Sequence, residues 1–156
     1  MSGYVIGIDP GCSGAIAVLQ SAEFPVVVVG YRMPTFKVGK STRVDAAELS
    51  RMLEEFDTGH AYVERVGSMP GQGVASTFTF GHAAGVVSGV LAAMRIPYTL
   101  VEPQAWKRRA GLIGTDKDAA RSRAIQLWPT WGELAAKGKG QAFADAALIG
   151  RYGAGR

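Results

Sequence analysis

The chain has 156 residues, of which 47% are hydrophobic, so it is long and apolar enough to fold around a core and is not a disordered polyanion-binding tail. Lysine and arginine outnumber aspartate and glutamate by 17 to 13, an excess that is compatible with a polyanionic partner such as nucleic acid. Cys12 is the only cysteine, which excludes an internal disulfide. The sequence has no recognisable signal peptide or long apolar run, so we expect a soluble cytoplasmic protein without a membrane partner.

The N-terminal part of the chain predicts three antiparallel strands. β-Branched residues dominate the segments 4–9, 14–20 and 24–32, and turn residues separate them. The polar stretch 33–43 is predicted to be an exposed loop. Apolar residues then recur every three or four positions over 44–56, which indicates a helix.

The rest of the chain alternates strands with helices, which predicts one α/β domain over residues 1–156. The predicted elements are a strand at 60–66, a flexible loop at 68–75, a long helix at about 77–95 capped by Ser76, a strand at 97–101, a short helical or turn segment at 102–112, a basic helix at 116–128, a loop at 132–140 and a last helix at about 141–152.

Three glycines share one face of the predicted long helix. Gly81, Gly85 and Gly89 recur every four residues, and each costs roughly 1 kcal/mol of helix stability relative to alanine. Such a stripe favours close approach by another element. Packing on the sheet is the first expectation for part of this face, and a helix across a dimer interface is the alternative.

Three carboxylates stand in apolar surroundings. Asp9 ends the first strand just before a glycine-rich turn, Glu64 lies on the strand 60–66, and Asp145 interrupts the apolar stretch 142–149. Because burying an unpaired charge is costly, Asp145 needs either a basic partner or a cation. Hard cations such as Mg²⁺ take oxygen ligands, and two of them can stabilise both the attacking and the leaving oxygen of a phosphoryl displacement. The pattern therefore predicts a metal site for cutting phosphodiesters.

Several segments resemble a known family. Ile6 to Gly11 followed by Gly14, together with Val63-Glu64-Arg65, resemble the RuvC Holliday-junction resolvases of the RNase H-like superfamily, and the phage-borne branch most of all. The resemblance extends from residue 4 to about 152 and includes the segments 80–81, 101–107 and 144–149. It implies an RNase H-like fold, with a five-stranded mixed sheet flanked by helices. It also implies a homodimeric endonuclease that resolves four-way DNA junctions by paired nicks.

The resemblance further implies a set of catalytic residues. Asp9, Glu64 and Asp145 match the metal ligands, which are expected to hold two Mg²⁺ ions, with Mn²⁺ as a substitute and no small-molecule cofactor. Lys107 and Lys117 match basic positions near the active site of that family. Either could hold the scissile phosphate or stabilise charge in the transition state. Solvated surface lysines are the alternative for both.

One departure from the family pattern concerns a fourth carboxylate, which usually precedes the last one by about one helical turn. Gln141 and Ala142 occupy those places here. Either three carboxylates suffice, or the chain binds its second metal ion poorly. A junction-binding protein with weak or absent nuclease activity is therefore an alternative. A remote alternative is the phosphate-binding turn of sugar kinases and actin-like ATPases, but those proteins need two such domains and a second turn of this kind is absent.

The expected DNA contacts fall in two regions of the sequence. Basic residues are dense between residues 107 and 123 and are expected to contact phosphates. The loop after Glu64 is expected to enter the junction centre, with Met69 or Phe78 wedging against bases. The predicted DNA-binding residues are Met69, Gln72, Phe78, Lys107, Arg108, Arg109, Lys117, Arg121 and Arg123.

Overall fold

The computed structural model describes residues 3–155, so residues 1, 2 and 156 of the predicted domain lie outside the described part. Apart from two additional short strands before the first helix, its strands and helices follow the predicted order of three strands, helix, strand, helix, strand and helices. In chain order they are β1 (Tyr4–Asp9), β2 (Ala15–Gln20), β3 (Val26–Arg32), β4 (Thr35–Val38), β5 (Ser41–Val44), α1 (Ala46–Glu54), β6 (Thr58–Glu64), α2 (Val74–Ala93), β7 (Tyr98–Val101), α3 (Pro103–Ala110), α4 (Ala119–Leu127), a 3-10 turn (Gly132–Ala135) and α5 (Lys137–Gly153).

A mixed five-stranded sheet forms the centre of the fold, with strand order β3-β2-β1-β6-β7. The first three strands are antiparallel neighbours, whereas β6 is parallel to β1 and β7 is parallel to β6. The predicted five-stranded mixed sheet flanked by helices is therefore confirmed.

Alternating side chains of the central strands build a core on each face of the sheet. Ile6 and Ile8 of β1 point to the side covered by α1 and α2. Ala17 and Leu19 of β2 point to the opposite side, where α3, α4 and α5 pack. The period of two in a strand produces this division directly.

The stretch 33–43 is not a loop, which corrects the prediction. It contains most of a separate hairpin, in which β4 and β5 pair from Thr35↔Val44 to Val38↔Ser41. The turn is made possible by Gly39, whose φ of +59° suits the first position of a two-residue hairpin turn. The polar composition concealed two short β-branched segments around this glycine.

The starts of the long helix and the last helix also differ from the predictions. The long helix begins at Val74 with Gly73 at its N-cap, so Ser76 lies inside the helix and is not the cap. The last helix begins at Lys137 instead of about 141, which leaves a 3-10 turn in place of the first part of the predicted loop. Gly140 permits this early start, because a Cβ there would lie only 2.6 Å from the Leu134 carbonyl oxygen.

The glycine face of α2 does not pack on the sheet, so that first expectation is wrong. A Cβ built at Gly81, Gly85 or Gly89 would meet nothing within 4 Å outside its own helix. The residues of α2 that are buried are Ala83, Val87 and Leu91, which lie on another face.

The same helix is long and apolar enough to cross a membrane by length and composition alone. Only 17% of its apolar stretch is buried. Length and composition do not by themselves identify a membrane span, because the core helix of a soluble protein can have both. What the helix does establish is a largely uncovered apolar surface on this side of the fold.

Candidate metal and DNA site

Two of the three predicted carboxylates lie at one edge of the sheet. β1 and β6 are parallel neighbours, and Ile8 lies opposite Val63. Asp9 and Glu64 directly follow these two residues, so they end adjacent strands at the same edge of the sheet. The carboxyl ends of parallel strands open on the same edge, where ligand sites of α/β proteins commonly form.

The third carboxylate, Asp145, comes from α5, which crosses β1 at backbone contact. A Cβ at Gly7 would overlap the Ala146 carbonyl oxygen and lie 2.5 Å from the Gly150 nitrogen. Small residues on both elements therefore bring the α5 backbone against the strand that carries Asp9. This contact explains how a helix far along the chain delivers a carboxylate to the same edge.

Burial and mutual repulsion perturb two of these carboxylates. The pKa of Asp9 is raised to about 6, first by burial and then by the charge of Glu64, with a hydrogen bond from the Gly11 backbone and the charge of Lys107 acting in the opposite direction. The pKa of Asp145 is raised to about 7, first by burial and then by the charges of Asp9 and Glu64, while Lys107 lowers it. The three carboxylates thus form one electrostatic cluster with Lys107 beside it.

Asp145 has a buried oxygen without a hydrogen-bond partner. Among the buried side-chain oxygen and nitrogen atoms of residues 3–155, Asp145 Oδ1 is the one that makes no hydrogen bond. Native proteins rarely leave such an atom unpaired, and an ion is one of the standard explanations. The basic-partner alternative from the sequence is not realised as an ion pair, because the salt bridges of the described residues do not include Asp145.

Trp106 holds Glu64 in place, a role that sequence reasoning missed. The indole is 1% exposed, and its Nε1 donates a hydrogen bond of 2.6 Å to Glu64 Oε2. Trp106 therefore bonds one carboxylate oxygen of Glu64 and does not bond the other, Oε1. The sequence did contain a signal for this contact, which is a tryptophan beside Lys107 in an otherwise polar segment. Such a tryptophan is a candidate for burial, and a buried indole N–H needs a hydrogen-bond acceptor.

The carboxylates are a fitting donor set for a hard divalent cation. Mg²⁺ takes carboxylate oxygens from one or two side chains and keeps several waters, and a cation here would relieve both the repulsion and the unsatisfied oxygen. Among residues 3–155, however, no three histidine, cysteine, aspartate or glutamate side chains are close enough to hold one ion by themselves. The three carboxylates are therefore neighbours electrostatically but do not form a preassembled site for one ion.

A cavity of about 160 Å³ brings both predicted lysines beside Asp145. It is bordered by α3, α4, α5 and the segment between α3 and α4. Gln141 also lines it, whereas Ala142 packs against the core cluster, so Gln141 is the residue one turn before Asp145 that faces this cavity. The lining residues are Trp106, Lys107, Leu112, Thr115, Asp116, Lys117, Ala120, Gln141 and Asp145.

The predicted arginines are not part of that cavity. Arg121 is engaged structurally, since it pairs with Asp118 at 2.8 Å and donates to the Leu134 carbonyl oxygen. Arg109 donates to the Gly155 carbonyl oxygen, and Arg123 donates to Gln126. Arg108 is exposed on α3. None of these four arginines lines the cavity that holds the lysine pair.

The predicted wedge residues Met69 and Phe78 are both exposed. Met69 is 70% exposed, and its backbone nitrogen donates to the side-chain oxygen of Gln72, which forms a turn. Phe78 is 60% exposed in the second turn of α2, and the Arg43 guanidinium lies 5.2 Å from the centre of its ring. Phe78 thus meets the β4–β5 hairpin, a contact that was not predicted.

A second, larger cavity of about 520 Å³ opens from Asp9 between the hairpin and α2. We call it the hairpin groove. Its walls come from the glycine-rich turn after β1, the turn and first residues of β5, and the first turns of α2. They are Asp9, Gly11, Cys12, Ser13, Gly14, Lys40, Ser41, Thr42, Ala75, Ser76, Thr79 and Phe80.

The fold is the RNase H-like fold of the RuvC-type resolvases. No family model matches the chain, and neither does any curated protein. Solved structures do match. "T. thermophilus RuvC in complex with Holliday junction substrate" has a TM-score of 0.66 at 16% identity, over 94% of this chain and 90% of that one.

Two further structures have the same fold. A second Thermus thermophilus RuvC structure has a TM-score of 0.63 at 18% identity and covers 97% of both chains. The yeast mitochondrial Holliday junction resolvase Ydc2 has a TM-score of 0.55 at 18% identity, over 96% of this chain and 76% of that one. At such identities the likeness establishes the fold, and the phage-type branch stays a prediction.

Proposed function

We propose that the chain is a RuvC-like endonuclease that resolves four-way DNA junctions by metal-dependent nicking, inside the cell. The observation that carries the proposal is the buried, unsatisfied Asp145 Oδ1 beside Asp9 and Glu64, whose charges raise its pKa. Acidic groups that converge from separate elements suit phosphodiester cleavage with Mg²⁺ or Mn²⁺, because both are hard cations that take oxygen ligands. The shared fold with proteins described as Holliday-junction resolvases supports the choice of substrate.

In this proposal Asp9, Glu64 and Asp145 hold two ions. Bound divalent ions supply an activated water and neutralise charge on the phosphate oxygens. The chain's own residues do the rest. Trp106 fixes the carboxylate of Glu64, and Lys107 and Lys117 bind the scissile phosphate from the cavity that they share with Asp145.

We also propose a homodimer, because paired nicks need two sites related by symmetry. The open glycine face of α2 and its uncovered apolar surface support this assembly. Small residues would allow a second copy of the helix to approach closely. Light scattering on the purified chain, repeated with Gly85→Glu to place a charge on that face, tests the assembly independently of cutting.

Incubation of an end-labelled four-way junction with the protein and Mg²⁺ or Mn²⁺ tests the activity. We expect nicks in two opposing strands of the junction, little cutting of a linear duplex with the same sequence, and loss of nicking in Asp145→Asn. Tight junction binding without nicking in either metal would instead support the binding-protein alternative. Absence of both binding and nicking would overturn the proposal.

The missing fourth carboxylate motivates that alternative and can be tested directly. Ala142 stands where the family pattern expects an acid, but Gln141 is the residue that lines the cavity with Asp145. Gln141→Asp and Ala142→Asp therefore form a matched pair. If a fourth ligand limits activity, Gln141→Asp should raise nicking at low Mg²⁺ more than Ala142→Asp does. If the wild type nicks and neither variant changes its rate, three carboxylates suffice.

A further inference from the structure

The β4–β5 hairpin carries three cations and no acid. Lys37, Lys40 and Arg43 lie within the segment 33–44, which contains neither aspartate nor glutamate. All four residues of β4 are exposed, and the hairpin forms its own two-stranded sheet beside the central one. Within residues 3–155, the salt bridges involve none of these three cations. The hairpin is therefore an arm whose positive charge is not neutralised by carboxylates of the described chain.

The hairpin is held in a defined position against α2. Arg43 Nη1 donates to the Thr42 carbonyl oxygen at 2.9 Å and to Thr79 Oγ1 at 3.4 Å, and its guanidinium lies over Phe78. Lys37 Nζ donates to Thr42 Oγ1 at 2.6 Å. These contacts fix the wall of the hairpin groove.

The hairpin groove has the chemistry of a phosphate-backbone site. Lys40 lies in it together with the hydroxyl residues Ser41, Ser76 and Thr79, and Asp9 lies at its inner end. Phosphate oxygens are bound in proteins by such hydroxyls and by lysine and arginine. Exposed aromatic rings at the rim, Phe78 among them, offer surfaces on which unpaired bases can stack.

We propose that the hairpin groove binds the DNA strand on one side of the scissile phosphate, with Lys40 contacting a backbone phosphate in the groove and with Lys37 and Arg43 of the same hairpin supplying further positive charge for neighbouring phosphates. This interaction surface rests on the proposed function, since it leads a strand to Asp9. It is separate from the lysine pair at Lys107 and Lys117, which lines the cavity beside Asp145. The strand therefore meets positive charge on both sides of the carboxylates.

The salt dependence of junction binding tests this surface. The full chain is titrated with a four-way junction in EDTA, where no cutting occurs, over a range of NaCl concentrations. Each neutralised phosphate contributes roughly 0.9 to the slope of log affinity against log salt. The triple variant Lys37→Gln, Lys40→Gln, Arg43→Gln should lower the slope by about 2 to 3, and Lys40→Gln alone by about 1.

Arg95→Gln is the matched control, because Arg95 is exposed just after the far end of α2, about 30 Å along the helix from its start. It should leave the slope unchanged. Lys40 lies in an exposed turn, so Lys40→Gln is expected to fold normally. It therefore tests the surface even if the triple variant loses binding because it misfolds. If the wild type binds and nicks junctions but both hairpin variants have the wild-type slope, this inference is overturned and the proposed function is not. A wild-type chain that does not bind junctions would overturn it together with the proposed function.

Discussion

Gly7→Ala tests how α5 is placed relative to the sheet. The added methyl group would overlap the Ala146 carbonyl oxygen, and it would lie 2.5 Å from the Gly150 nitrogen and 2.9 Å from the Gly150 Cα. These obstacles are backbone atoms, so no side-chain rotation can relieve the contact. The helix that carries Asp145 must instead move away from the strand that carries Asp9.

The size of the effect follows from that displacement. Moving the Gly150 nitrogen from 2.5 Å to an ordinary contact near 3.4 Å shifts α5 by about 1 Å, and the closer Ala146 carbonyl oxygen makes this a lower bound. Overpacking of a core typically costs about 1–3 kcal/mol, and backbone obstacles put this variant at the upper end. For a chain of this length, 3 kcal/mol corresponds to a fall in Tm of roughly 6–12 °C. A misplacement of about 1 Å between reacting groups can lower a rate by about 100-fold.

Thermal unfolding and junction nicking measure the two parts of this prediction. Gly59→Ala is the control, because Gly59 is also a strand glycine but its added Cβ would lie 3.6 Å from the Tyr4 carbonyl oxygen, an ordinary contact. We expect the control to change stability by no more than about 0.5 kcal/mol. If Gly7→Ala has the same Tm as Gly59→Ala, α5 does not cross β1 as closely as described. If its Tm falls but nicking is retained, the crossing does not determine the position of Asp145.

The remaining predictions concern the carboxylates. In EDTA, the folded chain binds protons at Asp9 and Asp145 more tightly than the unfolded chain, because their pKa values are raised to about 6 and about 7. Their contribution to stability is therefore present below about pH 4 and is lost as the pH rises through 6 and 7. Between pH 5 and pH 8, the urea unfolding midpoint of the wild type should fall more than that of Asp145→Asn. Addition of Mg²⁺ at pH 8 should raise the wild-type midpoint again. An equal change of midpoint with pH in the two proteins would contradict this reasoning. Trp106→Phe removes the hydrogen bond to Glu64, so Mg²⁺ affinity measured by calorimetry should weaken about 10–100-fold while junction affinity in EDTA stays unchanged. Equal Mg²⁺ affinity in this variant would mean that Trp106 has only a packing role.

Much of the fold could be predicted because it depends on local patterns. Apolar alternation and turn residues identified β1, β2 and β3, and the three/four spacing of apolar residues identified α1. The errors occurred where local signals were weak or misleading. The β4–β5 hairpin is polar and mostly exposed, so it lacks the apolar alternation by which strands are recognised. Ser76 is a good capping residue in general, but the chain enters α2 at Gly73.

The sequence by itself determined which side chains could bind a cation, because carboxylates at strand ends and within an apolar helix have few inexpensive alternatives. It also determined that Asp9 and Glu64 could be neighbours. Only the tertiary structure decided that Asp145 joins them, since the backbone contact of Gly7 with α5 spans more than a hundred residues of chain. Only the tertiary structure revealed that Trp106 orients Glu64 and that the hairpin borders Asp9, because both contacts depend on packing between distant segments and leave no periodic pattern in the sequence.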